Sequence, residues 1–204
     1  MPRALMPMLA VCLPFFLSAA KAHETPAEML KLARPRVVAA DFVQTRRLGE
    51  LDMDIRITGS MVSELDGRLR WQVDSPVRSV TVIDREKLTH FDGETKRLSV
   101  IRQESFPWLK VLRDSLDDWL SGDPGRLEKR FFLTVPRPRT LHLEPRDAAQ
   151  KKFCRSVEIE LAPDKSAIAA IRIDENGENR LEIRFSRVRN DPVLPPDVWR
   201  VPSR

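Results

Sequence analysis

Histidine and cysteine are the residues from which a metal site or a nucleophilic centre could be built in this chain. The histidines, His23, His90 and His142, are scattered singly along the sequence, and the cysteines are Cys12 and Cys154. A zinc site needs several such ligands at set spacings, and the sequence contains no such set. We therefore expect neither a metal nor a cofactor.

Sequence signatures of common catalytic centres are also missing. The chain has no Gly-x-Ser-x-Gly, Ser-x-x-Lys or His-Glu-x-x-His pattern, and its seven glycines form no phosphate-binding loop. Carboxylates are plentiful, but any pair chosen as an acid and base would be arbitrary. We therefore predict that the protein is not an enzyme. A hydrolase of acyl chains is kept as a third interpretation, since active sites assemble in space.

The first 22 residues have the features of a secretory signal peptide. Arg3 supplies a positive start, residues 5–20 are uncharged and apolar, and Ala20-Lys21-Ala22 fits a small-x-small cleavage site. The apolar run is shorter than the roughly 20 residues of a membrane span. Lipidation at Cys12 is the rival interpretation, and the bulky Val11 disfavours it. We predict an exported chain with a signal peptide at 1–22 and a single domain at 23–204.

Charge and cysteine content limit the partners of the exported chain. The sequence has 35 Lys and Arg against 30 Asp and Glu, and the two signs alternate along the strands instead of clustering. This distribution is typical of a solvated surface and argues against a nucleic-acid partner. Cleavage would leave one thiol, Cys154, which we expect to be a small buried hydrophobic residue. The charged strands also favour a monomer.

Most of the chain alternates between apolar and polar residues with a period of two. This pattern predicts strands with one buried and one wet face, in an antiparallel sheet. Turn signals around Asp66-Gly67, Asp92-Gly93 and Asn176-Gly177 join successive strands. The apolar positions are Met53, Ile55, Ile57 and Met61; Leu69, Trp71 and Val73; Phe131, Leu133 and Val135; Leu141 and Leu143; Val157, Ile159 and Leu161; Ile171 and Ile173; Leu181, Ile183 and Phe185.

Two segments are predicted to be helical. Thr25-Pro26-Ala27-Glu28 forms a capping box that starts a short helix, which ends near Ala33 because Pro35 follows. The second helix covers residues 107–120 and ends at Gly122 and Pro124. Its apolar residues fall at helical spacing and comprise Trp108, Leu109, Leu112, Leu116, Trp119 and Leu120.

These elements predict a mainly β fold. About ten or eleven strands form a single curved antiparallel sheet, which wraps into an incomplete, half-open β-barrel. The central helix would act as a lid over an apolar cavity. Ordinary core packing is the alternative, but two helices cover too little of so large a sheet to fill its interior. The residues expected to line the cavity are Leu69, Trp71 and Val73 on the sheet, with Leu109, Leu112, Leu116 and Trp119 on the lid.

Several short motifs occur in order along the exported chain. They are Phe42-Val43-Gln44, Gly59, Leu69-x-Trp71, Pro76, Ser79-Val80-Thr81-Val82-Ile83-Asp84, Phe91, Leu141-His142-Leu143-Glu144-Pro145, Asn176-Gly177 and Leu194-Pro195-Pro196-Asp197-Val198. These motifs resemble those of the periplasmic outer-membrane lipoprotein carrier family, LolA, over most of the exported chain. The block from Gly59 to Asp84 is the more specific part of the resemblance, and the rest is mainly strand pattern.

The resemblance implies a periplasmic carrier that shields lipid or lipoprotein acyl chains without a cofactor. It further implies an inner-membrane exporter that supplies the cargo and an outer-membrane acceptor that receives it. One departure concerns the lid, because the family has an Arg-Pro pair where this chain has Leu65 and Asp66, and Arg85 replaces a family glycine. Arg68 or Arg70 could replace the lid-tethering arginine, although both are expected on the wet face.

Two further interpretations accompany the carrier. A sensor or adaptor with the same half-barrel would bind lipid and signal to a protein partner without transfer. The departure at the lid also leaves open that the cargo is a glycolipid or another acyl product instead of a lipoprotein.

Overall fold

The computed structural model describes residues 25–29, 35–65, 67–102, 124–175 and 178–202. The predicted signal peptide at 1–22, the predicted lid helix at 107–120 and the predicted Asn176-Gly177 turn lie outside these ranges. The helices are α1 (Pro26–Met29), α2 (Pro124–Arg130) and α3 (Ala148–Lys151), and a 3-10 turn spans Gly49–Leu51. The strands are β1 (Val37–Leu48), β2 (Met53–Glu64), β3 (Leu69–Ser75), β4 (Ser79–Ile83), β5 (Lys87–Asp92), β6 (Arg97–Arg102), β7 (Phe131–Arg137), β8 (Thr140–Pro145), β9 (Cys154–Leu161), β10 (Ile168–Glu175) and β11 (Arg180–Asn190).

The strands of the described ranges form one antiparallel sheet of eleven strands. Their order is β6-β5-β4-β3-β2-β1-β11-β10-β9-β8-β7, so β6 and β7 lie at opposite ends of the sheet. In this order β1 and β11, from the two ends of the chain, pair at the centre. The sheet is not closed into a barrel, which confirms the predicted mainly β, half-open architecture.

One face of the sheet, here called the inner face, carries the main hydrophobic cluster; on the opposite face Val80 and Val82, which pair with Gln72 and Arg70, are also buried. On β7 to β9 this inner face includes almost fully buried side chains, such as Phe131 at 2% exposure and Leu143 at 0%, while Leu133 and Val135 are half-buried. Two helices close this half, because Met29 of α1 and Leu127 of α2 are 1% and 0% exposed within the same cluster. The alternation predicted for Val157, Ile159 and Leu161 is confirmed, since all three are buried.

The predicted capping box forms at the start of α1. The Thr25 amide and hydroxyl donate to Glu28 Oε2 at 2.8 and 2.9 Å, and the Glu28 amide donates to Thr25 Oγ1 at 3.3 Å. These bonds satisfy amides that a helix leaves open at its first turn. The cap therefore fixes the short helix that delivers Met29 to the core.

The opposite, outer face of β8 to β11 carries a row of alternating charges. Glu158, Arg172 and Glu182 are direct cross-strand neighbours on β9, β10 and β11. Arg172 donates to Glu182 Oε1 and to Glu160 Oε2, each at 2.8 Å. This is the wet, charged face that the sequence pattern predicts.

The outer face of β3 is covered by the C-terminal segment, residues 191–202. Arg70 Nη1 donates to the carbonyl oxygens of Val198 and Arg200 at 3.0 and 2.8 Å. The Arg68 guanidinium lies 4.9 Å from the centre of the Trp199 ring. Both arginines lie opposite Trp71 as predicted, but Arg70 is half-buried by this segment rather than fully wet. None of the described helices has the length and apolar character that a membrane crossing requires.

Candidate binding site on the inner face

Trp71 stands at the centre of the inner face on the half of the sheet formed by β1 to β6. Its ring stacks on Phe42, with centroids 3.9 Å apart and planes inclined by 24°. Phe42 is 2% exposed, so the stack rests on a buried ring. Gly59 of β2 pairs directly with Phe42, and its lack of a side chain leaves room for that ring. The stack thus fixes the position of Trp71 relative to the core.

Leu69, Trp71 and Val73 share this face and are all half-buried. They contrast with this face on β8 and β9, where Leu141, Leu143 and Val157 are 2%, 0% and 2% exposed. The three residues therefore offer apolar surface beside the closed core. Of the predicted lining residues, the structure brings together these three, while Leu109, Leu112, Leu116 and Trp119 lie outside the described residues.

On the same face as Trp71, polar residues of β4, β5 and β6 form a row in which each residue pairs with one on the neighbouring strand. Trp71 pairs with Thr81, Thr81 with His90, and His90 with Ser99. Thr81 Oγ1 and His90 Nδ1 lie 2.8 Å apart and share a hydrogen bond. Sequence reasoning missed this row, because His90 looks isolated until three strands are set in register. The signal that could have found it is the alternation that places Thr81 on the same face as Ile83.

The charged residues near the site are held by local hydrogen bonds. Asp92 Oδ1 accepts from the amides of Glu94 at 2.8 Å and Thr95 at 3.0 Å. The amide of Thr95 first, and then that of Glu94, lower the pKa of the Asp92 carboxyl below its usual value. The group is therefore an ionised acceptor that shapes the turn between β5 and β6.

The remaining candidates for chemistry have structural roles. Cys154 is half-buried, not buried as expected, and packs against the core cluster at the start of β9. Burial raises the pKa of its thiol, so it is a poor nucleophile. In the described part of the chain, no group of three or more His, Cys, Asp or Glu side chains could hold a metal ion.

The comparisons with known proteins agree with the observed fold. The family model of the outer membrane lipoprotein carrier protein LolA matches residues 34–201. The chain belongs to the LolA family. A curated LolA-family relative from Legionella pneumophila (strain Paris), named outer-membrane lipoprotein carrier protein, is 24% identical over 181 residues, covering 87% of this chain and 85% of the relative.

Solved structures show the LolA fold at lower identity. The MucA/MucB complex of Pseudomonas aeruginosa matches with a TM-score of 0.52 at 16% identity, over 86% of this chain and 58% of that chain. An uncharacterized conserved protein from Thermus thermophilus matches with a TM-score of 0.51 at 12% identity, over 87% of this chain and 90% of that chain. At these identities the likeness is one of fold.

The departure from the LolA pattern, Leu65 and Asp66 in place of an Arg-Pro pair, follows the end of β2. Leu65, at the position of the family arginine, is 47% exposed in the turn after β2, and its amide donates to the Arg36 carbonyl. Arg70, considered as a replacement tether, points to the outer face and binds the C-terminal segment instead.

Proposed function

We propose that the protein is a periplasmic carrier that binds lipid or lipoprotein acyl chains on its inner face and moves them from the inner to the outer membrane. The observation that carries the proposal is the half-buried apolar surface of Leu69, Trp71 and Val73 on an unclosed sheet. Each methylene removed from water on such a surface contributes about 0.8 kcal/mol, so an acyl chain gains several kcal/mol without covalent chemistry. The names of the curated relatives support the same cargo class.

The rest of the chain has proposed roles in this cycle. Residues 1–22 direct export and are removed, and residues 23–204 act as one domain and as a monomer. Residues 107–120 form the lid, with Leu109, Leu112, Leu116 and Trp119 facing the acyl chain. An inner-membrane exporter loads the carrier and an outer-membrane acceptor unloads it. Release requires the lid to open, and no cofactor or catalytic step takes part.

Paired substitutions on β3 test the acyl-binding surface. Val73→Glu places a charge on the inner face, and we expect it to weaken dodecanoate binding about ten-fold or more, since a carboxylate there must be desolvated. Gln72→Glu adds the same charge one residue away on the outer face and should leave binding unchanged. Isothermal titration calorimetry measures both. Equal loss in the two variants would contradict the proposed surface.

The lid is tested separately with Leu112→Glu and Leu116→Glu. We expect both to weaken dodecanoate binding and to change Trp71 fluorescence. Unchanged binding and fluorescence in both variants would show that the lid assignment is wrong while leaving the sheet surface intact.

A sensor or adaptor is the second candidate function. It is favoured by the outer face of β6, where Leu98 and Val100 are 51% and 53% exposed on a strand at the end of the described sheet. Such apolar side chains are typical of surfaces that bind other chains. The MucA/MucB complex shows that a protein of this fold assembles with a partner. Transfer of a labelled lipid from donor to acceptor vesicles separates the functions, because an adaptor binds lipid without delivering it.

A further inference from the structure

The inner face of β4 to β6 changes from apolar to polar in successive cross-strand rows. The row that starts at Leu69 stays apolar through Ile83, Leu88 and Ile101. The row that starts at Trp71 becomes polar, through Thr81, His90 and Ser99. The row that starts at Val73 continues through Ser79, Asp92 and Arg97. An apolar surface therefore borders directly on a polar one.

The polar part is defined here as the headgroup strip and consists of Ser79, Thr81, His90, Asp92 and Ser99. Directly paired residues of antiparallel strands lie on the same face, so these side chains point to the same side as Trp71. All are half-buried except Ser99, which is exposed. They retain surface for a ligand while lying close to the stacked aromatic rings.

The strip offers hydrogen-bond donors and acceptors together. Thr81 Oγ1 and His90 Nδ1 bond to each other at 2.8 Å, which leaves the second ring nitrogen of His90 for another partner. The hydroxyl groups of Ser79 and Ser99 can donate and accept. Sugar and glycerol hydroxyls do the same, so a hydroxyl-rich group matches this set.

Charge distinguishes a hydroxylated headgroup from a phosphate. Asp92 and Arg97 are direct cross-strand partners and carry opposite charges. The two charges offset each other, so this end of the strip has no net positive charge to hold a phosphate, whereas the Asp92 carboxylate can accept a hydrogen bond from a hydroxyl. The strip is suited to an uncharged head, because it has no excess of cations.

We propose that the headgroup strip binds the uncharged, hydroxyl-rich headgroup of an amphiphile whose acyl chain lies on Leu69 and Trp71. The inference rests on the proposed function, because it requires an acyl chain on the neighbouring surface. It adds a second recognition element and narrows the cargo class to lipids with a glycosyl or glycerol-like head.

The test compares three probes with the same alkyl chain on the full-length protein, each used below its micellar concentration or, for the alcohol, below its solubility limit. Dodecyl maltoside, dodecyl phosphate and dodecanol are titrated by calorimetry at constant pH and salt. We expect the maltoside to bind about five-fold more tightly than the phosphate, which corresponds to about 1 kcal/mol or one net hydrogen bond. Phosphate binding equal to or tighter than maltoside binding would overturn the inference.

Substitutions locate the effect on the strip. His90→Phe and the nearly isosteric Thr81→Val should each weaken maltoside binding about five-fold and leave dodecanol binding unchanged. His142→Phe is the matched control, because His142 is also half-buried but lies on the outer face near Glu158. The control should bind all three probes like the unmodified chain.

The outcomes separate this inference from the proposed function. If none of the probes binds, the acyl-chain site is refuted and the headgroup strip with it. If all three bind with one affinity and neither strip variant changes it, the acyl-chain site stands and the headgroup strip alone is refuted. A loss confined to the maltoside in both strip variants supports the headgroup strip.

Discussion

Gly59 determines how closely the aromatic residues of the inner face approach β3. A Cβ atom at this position would lie 1.9 Å from the Gln72 carbonyl oxygen and 2.8 Å from Phe42 Cζ. The first contact is with backbone, which cannot move without shifting β3. Glycine is therefore required where the Phe42 ring crosses β2 to reach Trp71.

Gly59→Ala tests this close approach. We expect a loss of about 1–3 kcal/mol in the free energy of unfolding, because the added methyl group overpacks a site between two strands. The Phe42–Trp71 stack should loosen and shift the Trp fluorescence. Urea denaturation followed by fluorescence measures both, with Ser60→Ala on the same strand as control. A variant as stable as the control would show that the two strands have room for the methyl group.

At the residue scale, the sequence indicated part of the candidate site. Alternation alone predicted that Leu69, Trp71 and Val73 share a face, since period two is a local property of one strand. It could not reveal the polar row, because Thr81 and His90 come from different strands. Their proximity depends on the pairing register, which turn geometry and the buried face set together.

At the element scale, the alternation of apolar and polar residues predicts least about the C-terminal segment. Residues 191–202 include Pro195 and Pro196 and show no strand alternation. The resemblance to a family motif is the sequence signal they carry. In the structure Arg70 bonds to the Val198 and Arg200 carbonyls, and burial lowers the pKa of its guanidinium. An arginine expected on the wet face therefore fixes the path of this segment.

Arg70→Met tests whether the arginine holds the segment. The variant keeps an aliphatic stem but removes the two hydrogen bonds to the segment and a third to Gln72 Oε1, and we expect a loss of about 1–3 kcal/mol. Hydrogen exchange should accelerate in residues 197–202 more than in β4 or β5. Arg78→Met, at an exposed arginine between β3 and β4, is the control. Unchanged exchange in the segment would mean that apolar contacts hold it without Arg70.

At the scale of the whole molecule, the two halves of the inner face differ in how far helices cover them. Helices α1 and α2 close the half formed by β7 to β9 through Met29 and Leu127, whereas Leu69, Trp71 and Val73 remain half-buried. The sequence predicted the open antiparallel sheet correctly, because alternation over so many segments excludes a sheet buried on both faces. It could not predict this asymmetry, since which helix covers which strands depends on the tertiary arrangement.

The charged row on the outer face makes the stability that strands β9 to β11 contribute dependent on pH. Burial alone would raise the pKa of Glu182, but hydrogen bonds and charges from Arg184 and Arg172 outweigh it and lower the pKa below its usual value. A carboxyl group with a lowered pKa in the folded state stabilises the fold above its unfolded pKa, near about 4.3, and this contribution disappears as the pH falls through the folded value. Stability carried by this row should therefore be lost on acidification.

Arg172→Met removes the central base of the row and tests that dependence. We expect the variant to be less stable at pH 7 by about 1 kcal/mol, since the groups are partly exposed and screened by solvent. The difference should shrink as the pH falls below the unfolded pKa of Glu182, near about 4.3, and through its lower folded value, where this carboxyl group becomes protonated. Urea unfolding at a series of pH values measures it, with Arg189→Met on β11 as control. A difference that persists unchanged at pH 3 would mean that Arg172 acts through the packing of its stem, and the row would then be a solvated surface without pH coupling.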